Sequence, residues 1–249
     1  MGVGDHSGPL LPIFIRLVPC AYHWNSGMLE DFNFRIIWEY MPLFLEGLRN
    51  TFLISIFSIF LALVVGTLAC SARLSRWKLL RAVAIAYIES IRSTPLLVQI
   101  YFFYFGLPTL GIRIPELQTG IIALMLNSGA YMAEIIRAGI TSVSPGQIEA
   151  GISSGLSYVQ RMRFIVLPQA LGMTIPPLLG QSIVLVKDSA LLSLISVVEL
   201  TRSGQVLTSE RFMPTEAFFT VAFFYLCIYF CLKPLADWSQ RRLIFREAY

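Results

Sequence analysis

The chain has 249 residues, of which 56% are hydrophobic and only 14% are charged. A typical soluble domain carries roughly 25% charged residues, so this composition excludes a mostly water-facing surface and predicts a membrane protein. The net charge of +4 is too small to indicate a nucleic-acid partner, and we expect none.

Five apolar runs predict five transmembrane helices and an all-α membrane protein. A helix needs about 20 predominantly apolar residues to cross a bilayer. The five runs, in chain order, are Asn50–Ala72, Ala82–Leu107, Leu117–Arg137, Phe164–Val186 and Ala217–Leu232. The apolar segment Leu191–Val198 is too short to cross, and we expect a short helix or re-entrant segment there. Residues 199–215 are predicted to form a long outer loop.

Basic residues in short loops predict the orientation, because such loops concentrate on the cytoplasmic side of membranes. Three basic regions would share one side of a five-helix bundle: 73–81, 161–163 and 241–246. The sequence therefore predicts an N-terminus outside and a C-terminus in the cytoplasm.

This topology divides the chain into three regions. Residues 1–40 are predicted to form a periplasmic or interfacial arm, 41–236 the transmembrane domain and 237–249 a cytoplasmic tail. The arm opens without the basic n-region of a secretory signal. Its apolar stretch Pro9–Cys20 is too short to span a membrane and is interrupted by Arg16.

The cysteines do not predict a metal site. Cys227 and Cys231 share a helix face, but the two histidines, His6 and His23, lie far away in the arm. Zinc sites combine cysteine with histidine or carboxylate neighbours. We expect no metal, and we interpret the cysteines as small buried hydrophobic residues.

The cytoplasmic loop between the third and fourth spans predicts a short helix. Ser144 precedes Pro145, a combination that starts helices, and Gln147 follows Ser144 at the spacing of a capping box. The helix should run from about Gly146 to near Gly155, where glycine suits a turn with positive φ. Its small residues suit close docking into a groove on another protein, although an ordinary amphipathic loop is an equal alternative on these grounds.

The motifs of this loop resemble the signature loop of ATP-binding-cassette (ABC) importer permeases. The run Glu149-Ala150-Gly151, then Gly155, then Ile165-x-Leu167-Pro168 keeps the spacing of that signature, with Gly151 where the family has alanine. Three further segments are similar to polar amino-acid permeases: 91–99, 127–135 and 187–191. The outer segment 199–205 is similar to glutamine-type members. The resemblance covers residues 40–235.

This resemblance implies a fold, a function and partners. It implies the type I importer permease fold, a permease subunit that moves polar amino acids into the cytoplasm by alternating access, and a multi-pass location in the bacterial inner membrane. It implies as partners a cytoplasmic ABC ATPase dimer, a second permease subunit (identical or related) and a periplasmic or lipid-anchored solute-binding protein. The coupling helix on the ATPase would be built from Gly146, Glu149, Ala150, Gly151, Gly155, Leu167 and Pro168.

The chain has no phosphate-binding Gly-x-x-x-x-Gly-Lys-Ser/Thr motif. We therefore expect no catalytic residues and no cofactor on this chain, with ATP and Mg²⁺ bound by the partner ATPase.

Polar residues inside the apolar runs are candidates for substrate contact, because an ionisable group is costly in a bilayer and faces the bundle interior. Glu89 with Arg92, and Glu134 with Arg137, are spaced to form salt bridges along one helix. Six residues are predicted to contact an amino acid: Gln99, Asn127, Ser128, Tyr131, Glu134 and Asp188. Asp188 or Glu134 would accept the ammonium group, and Asn127, Ser128 and Tyr131 would contact the side chain.

Two further expectations concern the backbone of the helices. Gly129 and Ala130 should allow a close neighbouring backbone. Pro95, Pro176 and Pro177 are expected to break their helices and free backbone groups at the cavity.

The alternative function is an ion-coupled secondary amino-acid transporter, in which the membrane acids would bind protons or sodium. A membrane enzyme is a weaker alternative, because the sequence has no paired carboxylates, metal cluster or nucleophile elbow.

Overall fold

The structure is a computed structural model that describes the backbone of residues 32–244 and the side chains of residues 32–241. Predictions for the arm before residue 32, including Cys20 and the histidines, and for the end of the tail lie outside these residues. Every regular element in the described part is a helix. The helices are α1 (Phe34–Glu39), α2 (Met41–Arg73), α3 (Lys78–Arg92), α4 (Leu96–Thr109), α5 (Glu116–Thr141), α6 (Pro145–Ser153), α7 (Tyr158–Ile195), α8 (Leu200–Arg211) and α9 (Pro214–Ile244).

Four of the described helices are long and apolar enough to cross a membrane: α2, α5, α7 and the segment Pro214–Arg241 of α9. They coincide with the first, third, fourth and fifth predicted spans. The second predicted span, Ala82–Leu107, is not one helix. It is divided between α3 and α4, and α4 is an apolar helix shorter than a full span.

Pro95 accounts for the division, as predicted. Proline has no N–H and restricts the residue before it to extended backbone, so α3 ends at Arg92 and α4 begins after Pro95. Pro176 and Pro177 do not act in the same way. Both lie inside the uninterrupted helix Leu167–Asp188, so the predicted break in this helix is wrong.

Two other prolines widen a helix instead of ending it. The π-helical turns Phe102–Gly106 and Met162–Val166 end just before Pro108 and Pro168. A proline ring collides with the carbonyl of the residue four positions earlier. A π turn lets the chain pass this collision while remaining helical.

The segment 189–211 is more regular than the sequence predicted. Residues Ser189–Ile195 continue α7 as a 3₁₀ helix, which ends at Ser196 with a left-handed backbone (φ 66°). The expected long loop at 199–215 is mostly helix α8, which begins at its N-cap residue Glu199. The short apolar segment is therefore the end of α7 and not a separate element.

Small residues bring the long helices together. A Cβ at Gly66 of α2 would lie 2.9 Å from the carbonyl oxygen of Gly129 in α5, and a Cβ at Gly139 would lie 3.0 Å from the carbonyl oxygen of Ala170 in α7. The predicted close approach at Gly129 and Ala130 is confirmed, and both residues are buried. Without the hydrophobic effect between helices in lipid, such close packing is what holds a bundle together.

The cysteine interpretation holds for one residue. Cys70 is buried, whereas Cys227 and Cys231 are exposed on α9. The prediction of buried cysteines is wrong for this pair, because their helix face is not covered by another described helix.

Candidate functional site

Helix α6 is the predicted short helix in the loop 144–168, and it runs from Pro145 to Ser153. Gly155 follows with φ 77°, the positive φ expected there. The backbone N–H of Leu156 donates to the carbonyl of Gly151 at 3.0 Å, which closes the C-terminal turn. The helix is thus a separate element just before α7 begins at Tyr158.

One face of α6 is fixed against the start of α7. A Cβ at the buried Gly151 would lie 2.7 Å from Cδ1 of Ile165 and 3.2 Å from Cδ of Arg161. The Arg161 guanidinium donates to the Leu156 carbonyl at 2.6 Å, and the Gln169 amide donates to Gln147. Gly151 therefore seats α6 on its own chain.

The opposite face of α6 is open. Four of its residues are exposed: Gly146, Glu149, Ala150 and Ser153. Ile152 beside them is 55% exposed, although it is apolar. The side chains on this face are mostly small and include one carboxylate, which suits docking against another protein. Leu167 and Pro168 are also exposed, at the first turn of the helix after the π turn.

The capping box lies at the start of the next helix, α7, and not at α6 as predicted. The Ser144 side chain makes no capping hydrogen bond, and the Gln147 side chain bonds to Gln169 instead of reaching back to Ser144. Ser157 and Gln160 form the reciprocal pair, with the Ser157 N–H donating to Oε1 of Gln160 at 2.8 Å. This box fixes the start of α7.

Gln99 and Asn127 bond to each other. Nδ2 of Asn127 donates to Oε1 of Gln99 at 3.1 Å, and both side chains are 6% exposed. Nε2 of Gln99 donates to the carbonyl oxygens of Ile91 and Thr94 at 2.8 and 3.0 Å. Gln99 therefore donates to the two carbonyls beside the break, where Pro95 has no N–H of its own to offer.

Glu134 lies between two arginines. Its carboxylate is 3.0 Å from Arg73 of α2 and 2.9 Å from Arg137, which confirms the predicted pair within α5. The predicted Glu89–Arg92 pair is wrong. Glu89 faces Arg73 at 4.0 Å, and Arg92 lies over the ring of Tyr131, 5.3 Å from its centroid.

Asp188 is the one predicted acceptor without such partners. It is half-buried at the end of the helix Leu167–Asp188, and it forms no side-chain hydrogen bond or salt bridge within residues 32–241. It is also distant from Glu134. Leu192, one turn beyond Asp188, contacts Gly120, and the 14 helical residues from Gly120 to Glu134 rise about 21 Å. Asp188 and Glu134 therefore do not form one site.

A cleft of about 620 Å³ opens at the end of the bundle near Ser196, with Asn50 and Glu116 among its lining residues. Ser128 is 1% exposed in the centre of α5. Among the described residues, none of the six predicted substrate contacts lines this cleft. The structure thus does not assemble these six residues into one site. Gln99 and Asn127 form a pair, Glu134 belongs to an ion network, and Tyr131 lies under Arg92. Ser128 is buried within α5, and Asp188 is isolated.

Sequence reasoning missed a buried carboxylate, Glu199, which is 0% exposed. Its oxygens accept hydrogen bonds from the N–H groups of Thr201 and Arg202 and from the hydroxyl of Tyr225. Burial raises the pKa of Glu199 to about 7, against the opposing effect of these hydrogen bonds. The available signal was an acidic residue directly before a helix with an apolar first position, which is an N-cap pattern.

These features define a class of protein: a multi-pass membrane subunit with a helix outside its spanning segments whose free face suits a separate protein. The chain matches the family of binding-protein-dependent transport system inner membrane components over residues 58–245. It belongs to this family, and it is a permease subunit without an ATPase site of its own.

Relatives and solved structures agree with this assignment. The chain is 39% identical to the glutamine transport system permease protein GlnP of Escherichia coli strain K12, over 86% of this chain and 98% of that protein. It is 36% identical to the probable glutamine ABC transporter permease protein GlnM of Bacillus subtilis, over 85% and 98%. The crystal structure of an amino acid ABC transporter with histidines has a TM-score of 0.82 at 37% identity, covering 85% of this chain and 99% of that chain.

Proposed function

We propose that the chain is the membrane permease of an ATP-driven importer for polar amino acids of the glutamine type. The observation that carries this proposal is the geometry of α6, whose inner face is held by Gly151 and whose outer face is free. The glutamine permeases among its relatives support the substrate class. The partners would be a cytoplasmic ABC ATPase dimer, a second permease subunit and a solute-binding protein.

The mechanism follows from a rigid link between α6 and α7. Closing of the ATPases on ATP would move α6, and the contacts of Gly151 and Gln147 would pass this movement to α7. Because α7 packs on α5 at Gly139, α5 would move together with α7. This movement would open the pathway outward, and ATP hydrolysis would return it inward. Asp188 would accept the substrate ammonium, since the Glu134 carboxylate is already occupied by two arginines.

The proposed topology has five crossings, with the α3–α4 pair completing the second. The protein would lie in the inner membrane, with its N-terminus outside and its C-terminus in the cytoplasm. The Phe212 side chain is 86% exposed. In a background with the four native cysteines replaced, Phe212→Cys should then react with a membrane-impermeant thiol reagent added outside. Reaction of this cysteine only from the inside would reverse the orientation.

Reconstitution tests the function. The permease, its ATPase and its binding protein in lipid vesicles should take up labelled glutamine only with ATP, and unlabelled polar amino acids should compete. Uptake by the chain alone under a proton or sodium gradient would instead establish the secondary transporter.

Charge reversal on α6 tests the coupling surface. Glu149 and Glu46 are both exposed glutamates with no side-chain hydrogen bond or salt bridge in the described part of the chain. Glu149→Lys should lower uptake and substrate-stimulated ATP hydrolysis at least about tenfold, because a like-charge or unpaired group at a docking contact costs over 1.4 kcal/mol. The matched Glu46→Lys variant should transport normally. Equal activity of the two variants would remove α6 as the coupling element.

A further inference from the structure

An apolar groove of about 640 Å³ runs between α2 and α3 at their connecting loop. This volume is within the range of about 300–1,000 Å³ that is usual for small-molecule sites. The groove is lined mainly by hydrocarbon, including Leu68 and Val83, which are 64% and 58% exposed. The hydroxyl of the half-buried Tyr87 already donates to the Leu126 carbonyl at 2.7 Å. The groove interior is therefore suited to acyl chains.

The loop beside the groove is cationic. Residues 47–88 contain no aspartate or glutamate, and the exposed Arg76, Lys78 and Arg81 lie in and just after the loop. Arg73 is paired with Glu134, but the other three cations form no salt bridge with any carboxylate in the described part of the chain. Ser75 also lines the groove at this end.

The loop carries an interfacial residue as well. Trp77 is 76% exposed between Arg76 and Lys78. Exposed tryptophan is enriched at the boundary between headgroups and hydrocarbon. Trp77 therefore indicates that the loop, its unpaired cations and the adjoining end of the groove lie near the membrane surface.

We propose that this groove is a binding site for one anionic phospholipid. The acyl chains lie against Leu68 and Val83, and the headgroup phosphate contacts Arg76 and Arg81. Basic pockets between transmembrane helices on the cytoplasmic side suit such headgroups. A second copy of the chain fits the groove less well, since a two-fold contact places the same patch of each subunit together and brings the unpaired cations of both copies into repulsion.

The test uses the full-length chain purified in mild detergent, with phosphatidylglycerol and phosphatidylcholine of identical acyl chains as probes. Native mass spectrometry should find one phosphatidylglycerol per chain, bound more tightly than phosphatidylcholine. Arg76→Gln with Arg81→Gln should weaken phosphatidylglycerol binding about 30-fold, since each cation near an anionic headgroup contributes about 1 kcal/mol, or about fivefold in affinity. Phosphatidylcholine binding should change little, and lysine at both positions should restore selectivity.

The control removes the same charge elsewhere. Arg113→Gln with Lys233→Gln changes two exposed cations outside the groove and should leave both affinities unchanged. Val83→Trp, which fills the groove and keeps the cations, should weaken both lipids.

Four results would overturn the proposal. They are equal affinity of the wild type for the two lipids, an equal loss in the control, full binding by Val83→Trp, and photocrosslinking from position 68 to a second copy instead of to lipid.

Discussion

Buried carboxylates show what single residues contribute to this protein. Glu134 was identifiable from the sequence, because a charge within an apolar run requires a partner, and its arginines confirm the reasoning. Glu199 was not, because its burial depends on Tyr225 of α9, 26 positions away. No cation within residues 32–241 pairs with it. Two backbone N–H groups and one hydroxyl offset only part of its desolvation, so its pKa lies far above the ordinary value.

Glu199 should make stability depend on pH. Its pKa rises from 4.5 to about 7 on folding, so between these values the folded chain binds more protons than the unfolded chain. The contribution of Glu199 to the free energy of unfolding is then highest below pH 4.5, falls as the pH rises to about 7, and is constant above it. The shift corresponds to about 3 kcal/mol in total.

Melting in detergent from pH 5 to pH 8 measures this dependence. Glu199→Gln stays neutral and should flatten the slope, whereas the exposed Glu46→Gln should keep it. All three proteins retain the same histidines, so the difference isolates Glu199. An unchanged slope in Glu199→Gln would assign the pH dependence to another group.

Helix boundaries were predictable where local chemistry determines them. Pro145 and Gly155 predicted the bounds of α6, because a proline at the start of a helix and a positive φ at its end depend on local backbone geometry. The predicted cap at Ser144 failed, since Gln147 bonds to Gln169 on the next helix. Pro95 and Pro176 look alike in sequence but differ in effect. The break at Pro95 is stabilised by Gln99, which donates to the carbonyls of Ile91 and Thr94, and this contact depends on the path of the chain after the break.

Removing the Gln99 amide should destabilise the α3–α4 junction. Gln99→Leu leaves the Thr94 carbonyl and the Asn127 amide without their partner, and the Ile91 carbonyl keeps only its 3.4 Å bonds from Thr94. Each unsatisfied buried group costs about 1–3 kcal/mol. Chemical denaturation in mixed micelles should show this loss. In a double-mutant cycle, Asn127→Leu should cost less when Gln99 is already leucine, because the two side chains share one hydrogen bond.

Gln181 provides the matched control for this cycle. It is a half-buried glutamine in α7 that forms no side-chain hydrogen bond within residues 32–241. Gln181→Leu should stay within about 0.5 kcal/mol of wild type. Additive effects of Gln99→Leu and Asn127→Leu would mean that the two amides act separately.

At the scale of the whole molecule, composition and run lengths predicted four of the helices that cross the bundle, and small residues predicted a close approach at Gly129. The partner of Gly129 could not be predicted. It depends on which helices become neighbours, and the pattern of an apolar span is nearly the same on every face. The structure pairs Gly129 with Gly66 across α2 and α5, and Gly139 with Thr174 across α5 and α7.

Two glycine substitutions should separate helix packing from helix propensity. Alanine is favoured over glycine in a helix by about 1 kcal/mol. At Gly66 its Cβ would lie 2.9 Å from the Gly129 carbonyl oxygen. A backbone atom cannot move aside, so α2 and α5 must separate, at a cost of about 1–3 kcal/mol. At Gly180 no atom lies within 4 Å of the new Cβ, so only the gain in propensity applies. Melting curves should therefore show Gly66→Ala below and Gly180→Ala at or above the wild type, and stabilisation by both would mean that α2 and α5 do not pack through Gly66.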